Sequence, residues 1–105
     1  MHTLIAQHRA EIAELCRRYA VRRLDVFGSA ARGEDFDPSR SDADFLVDFE
    51  PGSDLSPLRQ FFGLAEDLET LLGRRVDLVK FGAIKDSRNY IRRDAILSDA
   101  EAVYG

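Results

Sequence analysis

The stretch "VFGSAARGEDFDPSRSDADFLVDF", residues 26–49, decides the fold of this chain. A short apolar run ends at Gly28–Ser29, and an Asp-x-Asp pair, Asp42 and Asp44, stands at the start of the next apolar run. Residues two apart in a strand point to the same face of a sheet. The pattern therefore predicts a strand over 43–49, with both carboxylates aimed to one side and the apolar residues to the other.

Hydrophobic periodicity predicts the elements on either side of this stretch. They are a helix over 3–19, a strand over 23–27, a short helix over 30–32, a helix from 56 to 73, a strand over 75–79 and a last helix from 87 that carries Tyr104. The order α-β-α-β-α-β-α predicts a small α/β domain with helices packed on the sheet. The helix that opens at Pro57 is expected to pack through the stripe Leu58, Phe61, Phe62, Ala65, Leu68 and Leu72.

Length and composition limit the kinds of protein that this chain can be. The 105 residues predict a single domain, 1–105. A net charge of −4 argues against direct nucleic-acid binding, which favours a basic surface. Cys16 is the only cysteine, so no intramolecular disulfide forms, and a cytoplasmic location is expected. No apolar run approaches the roughly 20 residues that span a bilayer, so no membrane contact is expected.

Three acids indicate a metal site. Adjacent carboxylates such as Asp42 and Asp44 repel each other unless a cation lies between them. Magnesium takes carboxylate oxygens together with water and substrate phosphates. Asp77 lies inside the apolar run 76–79, where an acid needs a metal or a reacting hydroxyl as its partner. The pattern predicts Mg²⁺ bound by these three acids.

The turn after the first strand supplies a phosphate site. Gly28 lets a phosphate approach the backbone, and the N–H groups of a helix start can bind it together with the Ser29 hydroxyl. Arg32, one helical turn on, can neutralise a triphosphate or its leaving pyrophosphate. Combined with the acids, this indicates metal-assisted nucleotidyl transfer, in which Asp77 binds a second ion or activates an acceptor hydroxyl.

The ordered motifs resemble a known family. "FGSAARGEDFDPSRSDADFLVDFEPG", residues 27–52, resembles the Gly-Ser…Asp-x-Asp signature of the polymerase-β-type nucleotidyltransferase superfamily, and is most similar to its minimal nucleotidyltransferase (MNT) domains. "LAEDLETLLGRRVDLV", residues 64–79, resembles the family's helix and third acid, and "IRRDAILSDAEAVYG", residues 91–105, its closing helix. The resemblance implies a mixed three- to four-stranded sheet with helices packed on it.

The resemblance also implies an activity. Many MNT domains are antitoxins that use ATP and magnesium to transfer AMP to a tyrosine of a partner HEPN-domain ribonuclease toxin. By motif position, Gly28 and Ser29 would contact the nucleotide phosphates, and Arg32 matches an Arg-Gly that follows the turn. Asp42 and Asp44 would be metal ligands, and Asp77 the third catalytic acid.

Two other functions remain open from the sequence. The chain can be a non-catalytic antitoxin that masks its partner, or a small-molecule nucleotidyltransferase. The second ranks last because no segment supplies an acceptor pocket. An acceptor held by a partner or by a second copy implies a homo- or hetero-oligomer. Asp25 belongs to no motif and is expected to be non-catalytic. Asp48 lies four residues beyond Asp44, where the strand should leave the site, and is expected to be solvated.

Overall fold

The structure, a computed structural model, describes residues 3–28, residue 31 and residues 43–105. Its elements are α1 (Thr3–Gln7), α2 (Arg9–Arg18), β1 (Val21–Phe27), β2 (Ala43–Phe49), α3 (Pro57–Leu72), β3 (Val76–Lys80), α4 (Phe81–Lys85), α5 (Tyr90–Asp99) and β4 (Glu101–Tyr104). The short helix predicted over 30–32 lies outside the described residues apart from Ala31. No helix in these ranges is long and apolar enough to cross a membrane.

The four strands form one mixed sheet in the order β3-β2-β1-β4. β1 runs antiparallel to both β2 and β4, whereas β2 and β3 are parallel. The α/β class and the mixed sheet implied by the resemblance are confirmed. The parallel pair is the important feature, because it brings the amino ends of β2 and β3 to the same end of the sheet.

The main core lies between one face of the sheet and helices α1, α2 and α3. Ala43, Phe45 and Val47 of β2 are buried there, as the period-two pattern predicts. Cys16 of α2 is also fully buried, and burial raises the pKa of its thiol to about 12. A smaller cluster covers the opposite face, where Phe27 and Leu46 pack against residues of α4 and α5.

Two predicted helices have different bounds. The expected helix over 3–19 is divided at His8 into α1 and α2. The last helix ends at Asp99, and the prediction that it continues to Tyr104 was wrong. Residues 101–104 pair with β1 instead and bury Val103 in the main core. The pairing and the burial outweigh the helix propensity of an Ala- and Glu-containing segment.

The helix α3 begins and ends as predicted. The Arg59 N–H donates to the Ser56 side-chain oxygen at 3.2 Å, Pro57 is the first helical residue, and Gly73 ends the helix at φ +67°.

The predicted apolar stripe of α3 was wrong in part. Leu58 is 70% exposed and Phe62 is 61% exposed. The buried residues recur instead at four-residue spacing: Gln60, Leu64, Leu68 and Leu72. Leu58 and Phe62 lie on the flank of the helix, where they line a cavity of about 420 Å³ beside β3. The polar Gln60 can be buried because its Nε2 donates to the Tyr19 carbonyl at 3.1 Å.

Tyr19 links α2 to α3. Its hydroxyl donates to Asp67 Oδ2 at 2.6 Å, and its ring lies so close to Gly63 that a Cβ there would be 2.6 Å from Tyr19 Cε1. The hydrogen bond to Asp67 raises the pKa of the Tyr19 hydroxyl. These contacts fix the position of α3, which leads directly into β3 and its acid.

We expect Tyr19→Phe to lower the free energy of unfolding by about 1–2 kcal/mol, because it removes a hydrogen bond to a charged acceptor. The matched control is Tyr104→Phe, since the Tyr104 hydroxyl has no partner among the described residues. Urea unfolding measures both variants. A loss for Tyr104→Phe equal to that for Tyr19→Phe would contradict the assigned bond.

The contribution of Tyr19 should depend on pH. A group whose pKa is raised on folding stabilises the fold fully below its unfolded pKa, about 10 for tyrosine. The difference in free energy of unfolding between the wild type and Tyr19→Phe should therefore be constant at neutral pH. It should disappear as the pH rises through the raised pKa of Tyr19 in the folded state. A difference in free energy of unfolding that grows at alkaline pH would show that folding lowers the pKa of Tyr19 instead of raising it.

Candidate active site

Two acids are paired in register across the parallel strands. Asp44 of β2 lies opposite Asp77 of β3 and, on its other side, opposite Phe27 of β1. Neighbouring strands are about 4.8 Å apart, and paired residues project to the same face. Asp44 is half-buried and Asp77 is exposed. The sheet therefore presents two carboxylates side by side, with one of them open to an incoming molecule.

Gly28 closes this site from the end of β1. Its φ of +68° lies in the left-handed region that glycine favours, and an added Cβ would lie 2.9 Å from Asp44 Oδ2. Its carbonyl accepts a hydrogen bond from the Ala31 N–H at 3.1 Å, and Ala31 is buried in the main core. Both the backbone conformation and the close carboxylate thus require glycine at this position.

An open cavity of about 320 Å³ lies over the paired acids. The sheet side of its wall consists of Phe27, Gly28, Asp44 and Asp77. The other side is one face of α5, formed by Arg92, Ala95, Ile96 and Asp99. These four residues follow the i, i+3, i+4, i+7 spacing of a single helix face. The cavity is therefore a cleft between the sheet and α5.

The structure brings together three of the six predicted site residues: Gly28, Asp44 and Asp77. The other three, Ser29, Arg32 and Asp42, lie outside the described residues. Arg92 and Asp99, which also line the cleft, were not among the site residues predicted from the sequence. Their spacing from Ile96, which is buried on the sheet, is the signal that would have placed them on the same helix face.

The carboxylates of Asp44 and Asp77 suit a hard divalent cation, and they supply part of the ligands that such an ion needs. Asp44 and Asp77 offer carboxylate oxygens, the ligands that magnesium prefers, from paired positions. Across residues 3–28, 31 and 43–105 no group of three potential ligands forms a metal cluster. The third predicted acid, Asp42, falls outside those ranges. The described pair therefore fits magnesium as two ligands of an octahedral set that water and phosphate oxygens would complete.

Two further acids near the sheet are held in ion pairs. Asp25 is only 2% exposed, and its Oδ1 accepts a hydrogen bond from Arg23 Nε at 2.9 Å, which raises the pKa of Arg23. Asp48 accepts a hydrogen bond from Arg22 at 2.6 Å. Neither acid lines the cleft. The predictions that Asp25 is non-catalytic and that Asp48 is solvated and lies beyond the site stay predictions.

Comparison with known proteins identifies the protein family to which this sheet and its paired acids belong. Residues 9–99 match the family model of the nucleotidyltransferase domain. The chain is 42% identical over 85 residues to the protein adenylyltransferase MntA of Thermococcus cleftensis, an overlap of 81% of this chain and 78% of that protein. The chain therefore belongs to the nucleotidyltransferase domain family, in its branch of MntA-type protein adenylyltransferases, and the predicted family is confirmed.

Solved structures show the same fold. A protein assigned as a minimal nucleotidyltransferase is 35% identical and superposes with a TM-score of 0.71 over 96% of this chain and 95% of that one. A toxin–antitoxin structure with AMP-PNP gives a TM-score of 0.64 at 21% identity, covering 92% of this chain and 73% of that one. A complex of a tri-AMPylated HEPN toxin from Shewanella oneidensis with its MNT antitoxin gives 0.61 at 18% identity, covering 96% and 72%.

Replacement of Gly28 by alanine should damage the site beyond its effect on stability. The matched control is Gly73→Ala, because Gly73 has nearly the same φ, +67°, but no atom within 4 Å of the added Cβ. We expect both variants to lose about 1–2 kcal/mol of folding free energy from the left-handed conformation. Only Gly28→Ala displaces the Asp44 carboxylate, and its rate of nucleotidyl transfer should fall by about 100-fold.

Urea unfolding and a transfer assay on the same preparations separate the two effects. Equal transfer rates for Gly28→Ala and Gly73→Ala would show that the close approach of Gly28 to Asp44 has no part in the reaction.

Proposed function

We propose that this chain is a Mg-ATP-dependent protein adenylyltransferase that acts as an antitoxin by transferring AMP to a tyrosine of a HEPN ribonuclease toxin. The observation that carries the proposal is the pairing of Asp44 with Asp77 beside Gly28. The adenylyltransferase MntA, to which the chain is 42% identical, and the AMPylated toxin bound to an MNT antitoxin of the same fold support it.

Asp42, Asp44 and Asp77 would hold the magnesium. Asp42 stands two positions before Asp44 in the sequence, the spacing at which strand residues share a face. When bound, the ion would offset the charge of the triphosphate and polarise the phosphate that reacts. Gly28 would allow a phosphate to approach the backbone, with Ser29 and Arg32 as further phosphate contacts.

The transfer joins the tyrosine oxygen to the α-phosphorus of ATP. The bond between that phosphorus and the oxygen leading to the β-phosphate breaks, and pyrophosphate leaves. The proton of the tyrosine hydroxyl passes to a carboxylate oxygen of Asp77. Asp77 suits this role because it lines the cleft and its side chain is exposed, so a side chain of another protein can reach it.

The open cleft suits a macromolecular acceptor. Asp77, which lines the cleft, is exposed on β3, an edge strand of the sheet, so the proposal has a partner protein approach from this edge. The proposal includes a hetero-oligomer of this single domain with its toxin, in the ATP-containing cytoplasm.

The intact mass of the toxin after incubation with this chain and Mg-ATP tests the proposal. We expect the wild-type chain to add one or more adenylyl groups. Asp44→Asn and Asp77→Asn should each slow the addition by about 100-fold or more, since each removes a charge on which the reaction depends. Asp77→Asn should unfold at the wild-type urea concentration because the side chain is exposed.

Asp48→Asn is the matched control. Asp48 lies on the same strand and face as Asp44 but pairs with Arg22 away from the cleft, so this variant should transfer AMP at the wild-type rate. An unchanged toxin mass, with toxin activity still inhibited by the bound chain, would replace transfer by masking. Wild-type transfer by Asp44→Asn would refute the assigned site.

A further inference from the structure

Arg92 of α5 lines the same cleft as the paired acids. The cleft wall includes Asp44 and Asp77 on the sheet and Arg92 on the helix. The buried Ile96 holds this face of α5 against the sheet, and Arg92 lies one turn before it. The packing of α5 thus places Arg92, and not Arg93, on the wall of the cleft that holds the acids.

The neighbouring arginine provides a contrast. The Arg93 guanidinium lies 4.9 Å from the ring centroid of Tyr90, and its Nε is 3.4 Å from Asp94 Oδ1. The Arg92 side chain is exposed and has no hydrogen bond or ion pair with any residue in the described ranges. Two adjacent arginines therefore differ: Arg93 is occupied within its own helix, and Arg92 is available to a ligand.

The charges of the cleft define the ligand class. Its described wall carries three carboxylates, those of Asp44, Asp77 and Asp99, and the single guanidinium of Arg92. Carboxylates alone would repel a triphosphate, and a cationic side chain in the same cleft reduces that repulsion in addition to any metal they hold. A guanidinium binds phosphate oxygens through two parallel N–H groups. The ligand that complements an available arginine facing an acid pair is a polyphosphate.

We propose that Arg92 binds the β- and γ-phosphates of ATP, the part that leaves as pyrophosphate. This inference rests on the proposed function. Negative charge grows on the leaving group as the bond to the α-phosphorus breaks, and a cation already in position stabilises that charge. AMP lacks both of these phosphates, so Arg92 contributes to the binding of ATP and not to the binding of AMP.

Calorimetric titration with the magnesium complexes of α,β-methylene-ATP and of AMP tests the inference. The α,β-methylene analogue keeps all three phosphates and cannot transfer AMP. We expect Arg92→Ala to weaken binding of the analogue by about tenfold or more and to leave AMP binding unchanged. Arg92→Lys, which keeps the charge and loses the paired N–H groups, should fall between the two.

Arg93→Ala is the matched control and should bind both nucleotides as the wild type does. Unchanged binding of the analogue by Arg92→Ala, or an equal loss for the analogue and for AMP, would overturn the inference and leave the proposed function intact. A wild-type chain that binds neither nucleotide would overturn both. The unfolding temperature of each variant shows that the chain is folded, which the exposure of Arg92 leads us to expect.

Discussion

The register of β2 against β3 determines where the acids lie. Asp44 faces Asp77 because Phe45 lies opposite Leu78 one position on, and both of these apolar residues are buried in the main core. A slip of one residue would turn Phe45 to the other face, losing about 1.5–3 kcal/mol of burial, and would force Asp44 into the core. An unpaired buried carboxylate costs several kcal/mol more. Core packing on one face therefore fixes the positions of the two acids on the other.

Local patterns were sufficient to predict the strands that carry the acids. β2 spans the predicted residues 43–49, and β3 begins and ends one residue later than expected. Each follows from alternation and from flanking turn residues, which are properties of neighbouring positions. β4 could not be predicted in this way, because residues 101–104 become a strand only by pairing with β1, far away in the sequence. The exposed Leu58 and Phe62 have the same explanation, since the face of α3 that is buried depends on its contact with Tyr19.

The site residues were predictable where a local sequence pattern marks them, as the strands were. Gly28, Asp44 and Asp77 follow from short motifs, and the structure places them around one cleft. Arg92 lies in the segment that resembles the family's closing helix, but no short motif marks it out, and its position depends on how α5 packs over the sheet. The comparison with Arg93 shows what distinguishes Arg92, because Arg93 contacts Tyr90 and Asp94 of its own helix. The two adjacent arginines therefore have different surroundings. Arg93 makes contacts within its own helix, and Arg92 lines the cleft that holds the acids.

We propose that the carboxylates paired across β2 and β3 hold the metal on the triphosphate. A crystal of the chain with Mn²⁺ and a non-hydrolysable ATP analogue tests it most directly, because manganese can be located by its anomalous scattering. We expect manganese within bonding distance of both Asp44 and Asp77 and of phosphate oxygens. Manganese bound without either carboxylate, or beside Asp25 or Asp48 instead, would contradict it.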